Sequence, residues 1–370
     1  NILSSDLGAT DPLTQQHNRY EISLFDLEDP DNKNDIDRLE ELYLKYNNNK
    51  LSITLGKQLI NTPFINPQDS RMRPTEVEGI FAEGKAGQRW TLEGGWIYNV
   101  SPRSTVEWYS VANSIGINAQ GVTPDGVPAD YRDNLTSKGI GLSGISYKPS
   151  DKFVIKAYNQ YADNLFNTAL VQAEYQQPLN HSRFKAAIQY IRQDVVNNGG
   201  NEDPSKTYFD RRNKVNVFGG RLGWQKGNWE TTVNYTRIGK TGRYTMPREW
   251  GTEPFFTYLS RERNEGLGDV HAFMASLKGL LPHYHLKLEI AYGHYYLPGA
   301  DNAVLNKYGL PSYRHVKALA DYEFHGMLKG LDLAMLWVYK GHLGSRPTDL
   351  KYVFNKVDMS MVNLIMNFHF

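Results

Sequence analysis

The sequence predicts an all-β protein, a transmembrane antiparallel β-barrel formed as one outer-membrane domain over residues 1–370. Three observations carry this. Apolar residues recur at every second position in segments of about ten residues. The polar links between these segments alternate between very short and long. The last such segment ends the chain on an aromatic residue, Phe370. Composition agrees, with 40% hydrophobic and 12% aromatic residues, 24 Tyr and 32 Gly. No run approaches the ~20 apolar residues a membrane helix requires. With 41 basic and 40 acidic side chains, a net charge of +1 gives no footprint for nucleic acid. The chain has no cysteine, which excludes disulfides, thiolate metal sites and cysteine nucleophiles.

The segments follow in order. Asn1–Ser5 reads as the outer end of a truncated strand, followed by a polar loop to Asp37. From Leu39 onward about fifteen complete strands can be counted, an odd number for a bacterial single-chain barrel. About three further strands are therefore expected before residue 1, for about eighteen in the native protein. In Phe153–Tyr158 the odd positions are apolar; Phe184, Ala186, Ile188 and Tyr190 repeat the pattern opposite Lys185 and Gln189. Leu286, Leu288, Ile290 and Tyr292 form a third face, and Leu331, Leu333, Met335, Trp337 and Tyr339 the longest. Residues at positions 334 and 336 then fall on the water-filled side, where Lys is expected to be tolerated. Val362, Leu364, Met366, Phe368 and Phe370 close the chain. A period of two fits a strand and excludes an amphipathic helix.

Tight links at Ala86-Gly87-Gln88, Pro149-Ser150-Asp151, Lys226-Gly227-Asn228 and Lys329-Gly330 carry the chemistry of reversing turns. Long polar links run over 101–138, 195–213, 240–266 and 342–356. Short links at one end and long ones at the other match periplasmic turns and extracellular loops, which places the chain in a bacterial outer membrane. Aromatics near strand ends (Trp90, Trp96 and Tyr98; Trp224 and Trp229; Tyr292, Tyr295 and Tyr296) read as interfacial girdles.

One link departs from the pattern. Residues 59–77 are rich in Pro and in apolar side chains, Phe64 and Ile65 among them, which a solvated loop would not favour. An inward-folded loop explains them: the apolar residues pack on the wall, and Asp69, Ser70, Arg71 and Arg73 face the pore. Gly56-Lys57-Gln58 and Gln68-Asp69-Ser70-Arg71-Met72-Arg73-Pro74-Thr75 resemble the corresponding stretch of the OprD-type family of substrate-specific outer-membrane porins, with Ser70 where that family often has Gly. A second local likeness lies at Pro247-Arg248-Glu249-Trp250-Gly251. The resemblance implies a third extracellular loop narrowing the pore, with Arg248 or Arg261 opposite its charges. The bland alternative is that Arg71 and Arg73 pair with Asp69 and Glu76 and merely hold the loop. The terminal aromatic Phe370 on its alternating strand resembles the signal by which outer-membrane barrels are recognised for assembly, and is expected to act as that signal.

Assigning the polar face of each strand to the lumen puts Lys45, Lys156, Lys185, Arg221, Lys287, Lys317 and Lys340 on the wall. The same rule adds Glu41, Glu93, Glu174, Glu230, Glu289, Asp321, Glu323 and Asp332, so the wall is mixed in charge. His283, His285 and His369 have no fixed carboxylate partner or third ligand in the sequence pattern, so no metal site is expected, and no cofactor.

The expected function is passive, partly selective diffusion of small polar or charged nutrients, carboxylates or amino acids among them, through a water-filled barrel. No enzymatic step is expected. The rivals are an outer-membrane lipase or protease barrel and an adhesion or assembly barrel. Expected partners are the solutes, outer-membrane lipid and lipopolysaccharide, and the barrel-assembly machinery through the C-terminal strand, in a monomer or trimer.

Overall fold

A computed structural model describes residues 38–68, 73–103, 105–262, 264–345, 347–353 and 356–369. The strands are β1 (Leu42–Asn47), β2 (Leu51–Gln58), β3 (Glu76–Ala86), β4 (Trp90–Ser101), the two-residue β5 (Tyr109–Ser110), β6 (Ile140–Ser150), β7 (Phe153–Ala162) and β8 (Phe166–Leu179). They continue with β9 (Ser182–Val195), β10 (Lys214–Lys226), β11 (Trp229–Ile238), β12 (Val270–Leu281), β13 (Leu286–Tyr296), β14 (Tyr313–Glu323), β15 (Leu331–His342) and β16 (Met359–Phe368). Apart from β5, which pairs only with β4, they form one antiparallel meander in chain order. Fifteen strands thus make the wall, and β1 and β16 are its edges among the described residues. Asn1–Ser5, where a truncated strand was expected, lies outside the described residues, as does Phe370.

The alternation decides the two faces. Ile188, Ile290, Met335, Val362 and Leu364 are exposed on the outer face. Their neighbours in sequence point the other way: Gln189, Ala291 and Leu336 are buried. For a soluble protein an apolar belt of this extent would be an aggregation hazard, and in a bilayer it is the lipid-facing surface. The short links reverse the chain at one end, with Gly87 (φ 67°), Gly227 (φ 55°) and Gly330 (φ 97°) in left-handed backbone that these turns require. The opposite end carries the long links, including a sixteen-residue connection between Tyr296 and Tyr313 that the alternation pattern did not mark.

Two expectations are corrected. Tyr295 is fully buried on the inner face, where it donates to the carbonyl of Thr257 (2.6 Å), so it is no part of a girdle. Ala334 and Leu336 do face inward, but they are covered (9% and 8% exposed), so that part of the wall offers no water to a Lys. A long loop that folds inward reaches this part of the wall, where Arg261 bonds Asn363, the cross-strand partner of Leu336.

Candidate pore constriction

The link between β2 and β3 turns inward. Ile60, Phe64 and Ile65 are buried, and Phe64 packs on Tyr158 of β7 with ring centroids 6.1 Å apart. Gly144 of β6 makes room there: a Cβ on it would stand 2.6 Å from both Glu93 and Tyr158. Thr62 braces the tip, its hydroxyl accepting from the Ile65 amide and donating to the Ile65 carbonyl, each at 2.9 Å. At the loop's exit the buried Arg38 donates to the Pro74 carbonyl (3.0 Å) and Ser101 Oγ (3.0 Å), and lies 3.6 Å from Glu76.

The link between β11 and β12 meets this loop. The Asn66 amide donates to the Trp250 carbonyl (3.0 Å), and the Asn66 side chain both donates to the Thr252 carbonyl (2.9 Å) and accepts from the Thr252 amide (3.0 Å). Thr75 Oγ1 donates to the Glu249 carbonyl at 3.3 Å. Gly251 fits because it has no side chain: at φ 137°, a Cβ would lie 2.5 Å from Asn66 Oδ1. The link between β4 and β6 completes the lock, since Glu249 Oε1 accepts from the amides of Gly116 (3.2 Å) and Asn118 (2.8 Å), and Trp250 Nε1 donates to Ser114 Oγ (2.9 Å).

Beyond Thr252 the same link runs along the inner wall. The Pro254 carbonyl accepts from Gln189 of β9 (3.1 Å), and Phe256 lies under the Arg221 guanidinium of β10 at 4.5 Å. Thr257 bonds Thr236 of β11 (2.9 Å), and Glu262 meets His315 of β14 (3.2 Å) and Lys340 of β15 (3.1 Å). Arg261 then donates to Asn363 of β16 (3.0 Å). Burial opposes ionisation of Glu262, yet Lys340 and then His315 hold its carboxyl down at about 2. The segment is apolar in sequence, Pro254-Phe255-Phe256-Thr257-Tyr258-Leu259, and this was the available sign that the long link is not wholly solvated.

The residues expected at an eyelet are placed unevenly. Asp69, Ser70 and Arg71 lie outside the described residues, and Arg73 is half-buried. Arg248 is engaged by Glu265 (3.2 Å) and stacks on Tyr308 at 4.2 Å, in a buried cluster that Lys307 joins, 3.1 Å from Glu265. Burial again opposes its charge, but Lys307 and Arg248 keep the Glu265 carboxyl below its ordinary range. Arg261 lies against β15 and β16, its backbone carbonyl accepting from Lys340 Nζ at 2.8 Å. Glu249, Glu262, Glu265 and Lys307, all buried in these contacts, were not singled out from the sequence.

The expected wall charges pair across strands. Lys156 meets Glu174 (2.7 Å), Lys185 meets Glu230 (2.5 Å) and Lys317 meets Glu289 (2.8 Å). Lys287 bonds Glu323 and lies 3.9 Å from Asp321, while Arg221 donates to Asn234 (2.7 Å). Lys185 reaches Glu230 across the whole of β10 because Gly223 stands in register beside it without a side chain. Of these wall cations, the lysines pair with carboxylates and Arg221 meets a neutral amide.

Residues 15–255 match the family model described as outer membrane porin, OprD family. Among solved structures the fold is similar to Pseudomonas aeruginosa OpdK with vanillate (TM-score 0.68, 12% identity, 88% of this chain and 77% of that one). It is also similar to P. aeruginosa OccD3 (0.67, 14%, 90% and 77%) and to Acinetobacter baumannii OccAB4 (0.65, 16%, 81% and 69%). No curated protein matches the chain. A family match over more than half the sequence, on a meander with an apolar outer face and inward loops, means that this chain belongs to the OprD family of outer-membrane porins.

Proposed function

We propose that this porin passes small polar or charged solutes, carboxylates or amino acids among them, by passive diffusion, and that loop 59–77 and the segment 252–262 together set the width of its pore. The observation that carries this is the lock between Asn66 and Thr252, which joins two long links rooted far apart on the wall. In this reading Asp69, Ser70, Arg71 and Arg73 present the charges at the narrowing, and Arg261 stands opposite them. Arg248 acts one step back, holding the loop frame through Glu265. No reaction is catalysed; a solute exchanges part of its hydration for these groups and leaves again.

The paired wall supports partial rather than strict selectivity. A Lys beside a Glu presents a local dipole to a passing ion, so the wall from β7 to β15 discriminates little by sign. Discrimination then falls to the charges of the narrowing. Vanillate in the structure of OpdK is consistent with a carboxylate among the solutes. Insertion through the barrel-assembly machinery by the C-terminal strand, contact with lipopolysaccharide, and a monomer or trimer belong to the same reading.

Liposome swelling with small amino acids, carboxylates and sugars of matched size tests it. Entry graded by size, with charge altering rates only severalfold, is expected. Failure of all three classes to enter would overturn it.

A further inference from the structure

Most of the cations on the lumen wall are paired with carboxylates, as described above. Those of the short turns are not: Lys50, Arg89, Lys152, Arg183, Lys226 and Lys329 are all exposed and have no ion-pair partner among the described residues. Each sits in or beside a different turn, so six of the seven short turns carry one, and the seventh carries His283 and His285. Asp151 is the one acid within these turns. Near Lys226 and Lys329 the carboxylates are already taken, Glu230 by Lys185, Glu323 by Lys287 and Asp332 by His369. This end therefore carries a collar of exposed cations with a single acid among the turns themselves.

Its height is set by aromatic residues. Trp90, stacked on Tyr147 at 4.0 Å, and Trp224 and Trp229 are exposed on the outer face, at the level where indole rings meet lipid headgroups. Arg89 directly precedes Trp90, and Lys226 lies between Trp224 and Trp229. At roughly 3.3 Å per residue the collar stands within one or two residues of that level, where lipid phosphates lie. One place along it is shaped as well as charged: an open groove of about 710 Å³ is lined by His181, Lys226, Asn228, Trp229, Leu281 and Pro282 from three neighbouring turns. A lining that combines an indole and a leucine with a lysine and a histidine suits a molecule that is apolar at one end and anionic at the other.

We propose that the turn-side rim is a binding surface for anionic phospholipid of the periplasmic leaflet, with the His181–Lys226–Trp229 groove as its best-formed seat. The phosphodiester meets Lys226 and His181, and the acyl chains run along Trp229 and the outer wall. The inference concerns the rim alone and leaves the pore's selectivity untouched.

The test is native mass spectrometry of the full chain, released from detergent containing equal amounts of phosphatidylglycerol and phosphatidylcholine. Preferential retention of phosphatidylglycerol is expected. Arg183→Gln with Lys226→Gln should lower that retention by at least about fivefold, as the attraction of a surface cation for anionic lipid implies. Lys226→Arg should preserve it, and the single Lys226→Gln, at an exposed site, serves if the double variant folds poorly. Equal retention of the two lipids by the unaltered chain would overturn the proposal. So would undiminished phosphatidylglycerol binding in the variants, or full displacement by millimolar glycerol phosphate, which would make the ligand a free phosphate. A changed reversal potential with unchanged lipid retention would assign the collar to the pore and equally overturn it.

Discussion

Val171 and Gln172 are neighbours on β8, and the structure gives them opposite surroundings. Val171, half-exposed on the outer face, pairs with Ala157 and Tyr190 near the middle of a fourteen-residue strand. Gln172 faces inward, donating to Glu174 (2.6 Å) and accepting from Gln189 (2.8 Å). A Lys at 171 would place an ammonium in hydrocarbon near mid-membrane, at a cost of ~2 to 4 kcal/mol. A Lys at 172 gives up a hydrogen bond worth about 1 kcal/mol but gains Glu174 as a neighbour, so its net cost should stay within about 1 kcal/mol. Equilibrium refolding of Val171→Lys and Gln172→Lys into bilayers against denaturant measures the difference. Equal costs would refute an aqueous inner face here. A reversed order would mean the register is one residue out, since such a slip exchanges the faces of every strand residue.

Acid should loosen the inner segment. The folded carboxyl of Glu262 lies at about 2, below its ordinary 4.5, so its stabilisation is fully present above pH 4.5 and is lost as pH falls from there toward 2. Conductance recorded across that range should change, and Glu262→Gln should show the acid behaviour already at neutral pH; a wild-type trace indifferent to pH would count against the Lys340–His315 anchor. Asn66→Ala should leave the amide and carbonyl of Thr252 unsatisfied, a local cost of about 1 to 3 kcal/mol. Its readout is faster proteolysis of residues 59–75, and unchanged cleavage would show that the two loops are not locked there. Deletion of Phe370 should reduce the amount of chain inserted in the outer membrane without altering the thermal stability of what does insert, and normal levels of the deleted form would remove its role as a signal.

Much of the wall was legible in the sequence because strand alternation is local: the period of two in Leu331–Tyr339 and Val362–Phe368 fixes which side chains meet lipid whatever the loops do. The inward turn around Phe64 and Ile65 was legible for a related reason, since both had to be buried somewhere. What could not be read was long-range. Nothing near Asn66 in the chain announces Thr252, and the inward segment that reaches the wall beside Leu336 lies more than seventy residues away. Glu262 and Glu265 looked like loop charges, yet each is buried by partners from other strands and links. The course of 252–262 along the wall was signalled only by its Pro-Phe-Phe run, which polarity elsewhere in the link obscured. Tyr295 was misassigned because proximity to a strand end does not distinguish the two faces, whereas its parity with Ala291 does.

The central claim is a water-filled barrel narrowed by inward loops, and single-channel recording in planar bilayers addresses it most directly. The unaltered chain should give steady ohmic steps, and replacing Arg71 and Arg73 together by Ala should enlarge the steps and lower the preference for anions. Absence of steps would contradict an open channel. Steps of unchanged size and selectivity in the double variant would contradict a narrowing built from loop 59–77.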